Sequence, residues 1–162
     1  MSIKLRNMTA VYLMKDNQFL LLYRQGGKVV NEVYTGTAGG HFEKDELGDP
    51  TACLLREMKE EIGLTEDMVE NLKLRYVAAR YTKGEIRQNF YYFAEISAET
   101  AEVIASNEGA LRWVNFEDAL NLEMPFCAKF AIEHYLKIGR YDDLLYGGMA
   151  TQTDLVFAPM SE

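Results

Sequence analysis

The sequence predicts an α/β (α+β) sandwich, one domain of strands mixed with two main helices. Three observations carry that prediction. Short runs rich in β-branched and aromatic residues recur along the chain, separated by turn residues. Two other stretches place apolar residues at helical spacing behind good start signals. The length of 162 residues, with 48% hydrophobic and 26% charged side chains, suits one domain with a full core.

Met8 to Lys15 and Phe19 to Tyr23 read as strands around an Asp16-Asn17-Gln18 turn. The unbroken apolar run from Phe19 to Tyr23 implies a strand covered on both faces. Gly26 and Gly27 open a loop, and Val33 to Thr37 form a further short strand that Gly39-Gly40 end. A helix follows. Asp49 is a good N-cap, Pro50 suits the first helical position, and Gly63 is a C-terminal stop. Leu55, Met58 and Ile62 should face the core, with Ala52 and Leu54 beside them. Two strands around Gly84 fill the stretch from Leu72 to Ile96. Leu111 to Val114 form a short strand, and Phe116 to Leu120 a helical turn. Pro125 opens a last helix to about Ile138 that buries Phe126, Phe130 and Tyr135. Phe90, Tyr91, Tyr92 and Trp113 read as core aromatics, and His134 as structural. Residues 1–140 form the domain proper. Residues 141–162 read as an irregular surface tail packed on it through Leu155 and Phe157.

Composition narrows the function. A net charge of -8, with no basic run, argues against a nucleic acid polymer as partner. No apolar run approaches the ~20 residues that span a bilayer. The segment MSIKLRNMTAVYL lacks the pattern of a secretory signal. Cys53 and Cys127 match no zinc spacing and read as buried free thiols of a cytoplasmic protein.

The predicted first helix carries the chemistry. Glu57, Glu60 and Glu61 sit three and four residues apart and so share one face. Each like-charged pair at that spacing costs a few tenths of a kcal/mol. Divalent cations would relieve this repulsion, and Mg²⁺ bridges carboxylates to phosphates. A plain solvated acidic face is the competing account of the same three residues. Just upstream, Gly39-Gly40 allow close backbone approach, and a carbonyl there would add an oxygen ligand.

Together these residues resemble the Nudix box: Gly40, then Glu46, then Arg56-Glu57-Met58-Lys59-Glu60-Glu61-Ile62-Gly63-Leu64. The second half matches at every defined position. Nine residues separate Glu46 from Arg56, two more than in the family pattern, and Ala38 stands where a proline is common. The order of elements extends the likeness to roughly residues 5–138. The resemblance implies a Nudix-like α/β/α sandwich and water-driven hydrolysis of a nucleoside diphosphate linked to another group. It also implies Mg²⁺ as cofactor, with Mn²⁺ able to substitute. By matching positions, Glu57, Glu60 and Glu61 would hold the metal, Gly40 would add its carbonyl, and one glutamate would take the proton from water. Arg56 would orient Glu57 through an ion pair with Glu46. Gly39 would approach the substrate with Gly40. Glu108 is the candidate for an extra ligand or base, set against a solvated turn residue. Arg24, at the end of the second strand, is a candidate phosphate contact, because a guanidinium donates two parallel hydrogen bonds. His41 is assigned only loop packing.

A nucleoside triphosphate, ordinary or oxidised such as 8-oxo-dGTP, is the first substrate expectation. ADP-ribose or a nucleotide sugar is the second. A nucleotide-sensing module without turnover is a different class, and retention of all three glutamates argues against it. An isopentenyl diphosphate isomerase would need acid–base residues, usually including a cysteine, and Cys53 sits on the core side of its helix. Relatives often pair, so a homodimer is expected.

Overall fold

The computed structural model describes residues 2–25 and 32–162. The loop expected at Gly26 and Gly27 lies outside the described residues. Strand β1 (Lys4–Lys15) turns through Asp16 and Asn17 into β2 (Gln18–Arg24). Both turn residues take positive φ, 50° and 60°, as a two-residue hairpin with right-twisting strands requires. β1 begins at Lys4 rather than Met8 because its whole length pairs in parallel with β6 (Glu85–Glu95). Parallel partners are far apart in sequence, so local patterning cannot reveal such an extension.

The sheet runs β3 (Val33–Thr35), β2, β1, β6, β5 (Glu70–Thr82), β8 (Leu145–Ala150), β9 (Leu155–Met160). β4 (Ala38–His41) pairs with the N-terminal half of β1, and β7 (Ala110–Asn115) with β2. Gly39-Gly40 therefore do not end a strand; they lie inside β4, opposite Ala10 and Thr9.

Helix α1 (Pro50–Ile62) covers one face of the sheet and α4 (Phe126–Lys137) the other. Neighbouring residues of each strand point to opposite sides. Thus Val11, Leu13, Leu20 and Tyr92 pack with Leu54, Met58 and Ile62 of α1. Tyr12, Phe19, Leu21, Tyr91 and Phe93 pack with Ala131, Ile132 and Tyr135 of α4. This is an α/β/α sandwich, and the double burial of β2 follows from it. Two short helices, α2 (Ala98–Val103) and α3 (Phe116–Ala119), lie between the strands. Nothing in the apolar pattern had marked α2.

Several core assignments shift. In α1, Cys53 and Leu54 are buried with Met58 and Ile62, while Leu55 is half-buried and Ala52 exposed. Met58 and Ile62 face inward as expected, and the third place in the stripe goes to Leu54 instead of Leu55. Phe126 and Phe130 pack on each other at the rim of the core and are half-buried. Trp113 is 37% exposed, since β7 lies at the sheet border with no main helix over it. Residues 141–162 are not irregular: β8 and β9 form a hairpin, and β8 joins β5 in parallel. Leu155 is buried there, and Phe157 packs beside it. No described helix is long and apolar enough to cross a membrane.

Candidate active site

The position of α1 is set by its ends. The Asp49 carboxylate accepts the Ala52 N–H at 3.0 Å. Gly63 takes φ 68°, and the N–H groups of Gly63 and Leu64 donate to the carbonyls of Lys59 and Met58. Between these caps, the buried stripe turns Glu57 and Glu61 toward β4.

β4 is built of glycine for closeness. A Cβ on Gly39 would stand 2.1 Å from the Thr9 carbonyl oxygen, and one on Gly40 would stand 2.4 Å from the Glu57 carboxylate. The Glu57 side chain therefore rests directly on the backbone of Gly40. Glu61 accepts the Gly39 N–H at 3.2 Å. The Gly40 carbonyl meets the thiol of Cys53 at 3.8 Å.

Arg56 joins the parts. Its Nε donates to Glu46 Oε1 at 2.5 Å, and its Nη2 to Glu46 Oε2 at 3.1 Å. Nη2 also donates to the His41 carbonyl at 3.0 Å. Nη1 donates to Glu57 at 2.9 Å and to Glu60 at 3.1 Å. Glu46 is buried and accepts the Glu43 N–H as well, so these bonds hold its carboxyl down at about 2. The same partners raise Arg56 above its ordinary value. The ion pair forms despite the two additional residues. Leu47 is 64% exposed and a Cβ on Gly48 would meet nothing within 4 Å, so the surplus bulges into solvent and leaves both ends joined.

Glu61 is the electrostatic opposite. Burial first, then Glu108 and Glu57, push its carboxyl up to about 7 against the pull of the Gly39 N–H. Glu108, on the loop before β7, is thus close enough to act on Glu61. Its carboxylate pairs with Arg24 at 2.8 Å. Two residues chosen on separate grounds are therefore bonded to each other, and Arg24 does not stand free. Glu57, Glu60, Glu61, Arg56, Gly39 and Gly40 meet around β4, with Glu108 and Arg24 beside them. A concavity lined by Asp16, Asn17, Phe116 and Arg140 holds none of these residues.

A profile of the NUDIX domain matches residues 4–134. The chain belongs to the Nudix family. It is a hydrolase of phosphoric anhydride bonds, the reaction of that family's enzymes. Solved structures share the fold. A MutT mutator protein from Bacillus halodurans superimposes with TM-score 0.65 at 22% identity, covering 95% of this chain and 97% of that one. The E. coli ORF135 protein gives 0.67 at 20%, covering 87% and 95%. An Ap4A hydrolase from C. elegans gives 0.63 at 16%, covering 86% and 100%.

The Nudix site fits a hard divalent cation. Glu57, Glu60 and Glu61 offer only oxygen donors, and burial, together with the charges of Glu108 and Glu57, raises the proton affinity of Glu61, a cost that a bound cation would offset. Among the described residues, Glu43, Asp45 and Glu46 bring carboxylate oxygens within 4.8 Å of one another. Glu46 is already engaged by Arg56, so this triplet belongs to the frame. Cys53 is fully buried, and burial pushes its thiol up to about 11, which suits a core residue and no acid–base role near neutral pH. Two contacts of one residue were not legible in the sequence. The His41 ring is bonded to Arg6, and its carbonyl to Arg56, so this residue does more than pack a loop.

Proposed function

We propose that this Nudix hydrolase is a Mg²⁺-dependent pyrophosphohydrolase that cleaves a nucleoside triphosphate, ordinary or oxidised, to monophosphate and pyrophosphate. The observation that carries the reading is the seating of Glu57 on Gly40, with Glu61 turned to the adjacent Gly39 N–H. Glu57, Glu60 and Glu61 would hold the metal, with the Gly40 carbonyl as a backbone donor. When bound, the cation supplies neutralising charge for phosphoryl oxygens and makes water a better nucleophile. The chain's own residues supply the rest. Arg56 fixes the Glu57 rotamer through its Glu46 anchor. Glu108, whose charge acts on Glu61, would accept a proton from the attacking water or add an oxygen ligand. Arg24, released from Glu108, would donate its fork to a phosphate.

The test is a product screen with Mg²⁺ and with Mn²⁺. It covers ordinary and oxidised nucleoside triphosphates, ADP-ribose, nucleotide sugars and dinucleoside polyphosphates, read by chromatography. Monophosphate plus pyrophosphate from a triphosphate is the expected result. Turnover of ADP-ribose alone would move the substrate to the diphosphate-linked sugars. No product from any compound would defeat the reading.

A further inference from the structure

Three arginines lie in a row across three adjacent strands. Arg6 of β1 stands directly opposite Arg87 of β6, and Arg87 stands directly opposite Arg80 of β5. Residues opposite one another share a sheet face. Counting by twos to Tyr12, Tyr91 and Ala78, all in the α4-side core, places the row on the α4 face. Like charges directly opposite are destabilising. One carboxylate, Glu85, serves the row: it lies 3.8 Å from Arg6 and 3.0 Å from Arg87. Among the described residues Arg80 makes no ion pair. Its guanidinium lies 4.0 Å over the Phe126 ring. A chain with net charge -8 thus carries a concentrated positive strip.

Two further features converge on the strip. Phe126 is the first residue of the twelve-residue helix α4, which has no side-chain cap and no acidic residue in its first turn. Its positive pole is therefore added to the guanidinium groups. At the other end, the Arg6 guanidinium lies 2.7 Å from Nε2 and 3.3 Å from Nδ1 of the His41 ring and donates to the one that carries no proton, while the His41 carbonyl accepts from Arg56. Arg6 and Arg87 remain 39% and 33% exposed, open to a ligand.

We infer that Arg6, Arg87 and Arg80 form an anion subsite for a phosphate group of the substrate other than those at the bond being cleaved. This rests on the hydrolase reading above and narrows it. With strands about 4.8 Å apart, the row spans roughly 10 Å, suited to a chain of phosphates and wasted on a neutral sugar. Substrates with a triphosphate or longer polyphosphate would be favoured over ADP-ribose.

The test begins without divalent cation, which separates the row from hydrolysis. In EDTA, calorimetry should show inorganic tripolyphosphate binding to the wild-type protein. Arg80→Gln and Arg87→Gln should each weaken binding about tenfold, by loss of a charge-assisted fork. Lys137→Gln, the same charge change on a remote helix face, should leave it unaltered. Tripolyphosphate should compete with the hydrolysed substrate, and KM should rise in the two arginine variants far more than kcat falls. Absence of binding, equal binding by all variants, or binding without competition would each overturn the subsite. A failed hydrolysis screen with arginine-dependent binding intact would instead sink the catalytic reading and leave the anion site standing.

Discussion

At the scale of single residues, two glutamates with opposite proton affinities divide the labour. Glu46 is held ionised by Arg56 and serves as an anchor, whereas burial, with the neighbouring carboxylates, pushes Glu61 toward neutrality. Glu57→Gln and Glu61→Gln should lower turnover by about 10²–10⁴-fold, the range for loss of a positioned acid–base or ligand group. Far-UV circular dichroism should stay unchanged; near-wild-type activity in either variant would remove that residue from the proposed metal site. Glu61 also predicts a pH effect. Its folded pKa lies above the unfolded value near 4.5, so its contribution to stability is complete below that pH and is lost as pH rises through about 7. His41 and His134 are lowered by burial and act in the opposite sense, so the effect must be read as a difference. In EDTA, Glu61→Gln should gain Tm relative to wild type between pH 5 and pH 8, and Mg²⁺ should close the gap. A constant difference across that range would refute the account.

At the scale of elements, the loop and helix 40–64 act as a clamp whose tolerances are uneven. Gly40→Ala drives a methyl group into the Glu57 carboxylate, the mobile end of that side chain, so the carboxylate must swing off its seat and activity should fall about 10²-fold. Gly48→Ala meets nothing, and both stability and activity should stay within about 0.5 kcal/mol of wild type. Paired denaturation and kinetic measurements on the two variants decide this, and equal losses would show that the bulge is part of the clamp. The caps and box residues of α1 were legible because their chemistry is local: Asp49, Pro50 and Gly63 act within one turn. The identity of the inward stripe was less so. Leu54 wins the place expected for Leu55 through contacts to β1 and β6, which no residue count along α1 contains.

At the scale of the whole molecule, pairings distant in sequence account for what local patterns missed. The early start of β1, the glycines inside β4 and the C-terminal hairpin all depend on a remote partner strand. The arginine row was hidden for the same reason: Arg6, Arg80 and Arg87 are unremarkable until register aligns them. The hairpin also bears weight. Tyr146 and Leu155 are each 5% exposed, so removing residues 144–162 should cost roughly 3–6 kcal/mol. Urea midpoints of the truncated and full chains would show it; matching midpoints would make the hairpin dispensable.

That hairpin has a kinetic side. β5 waits for β8 across more than sixty residues of intervening chain, and the strands that close its border are synthesised after every other element described. Until they dock, a nascent chain presents the backbone of β5 as an open template for any neighbouring polypeptide. Once they dock, the border passes to β9, whose Pro159 lacks an N–H and makes a poor splice point. The protein thus carries its own protection against strand-to-strand aggregation, but acquires it late, and crowding during synthesis is when it is most exposed to misassembly.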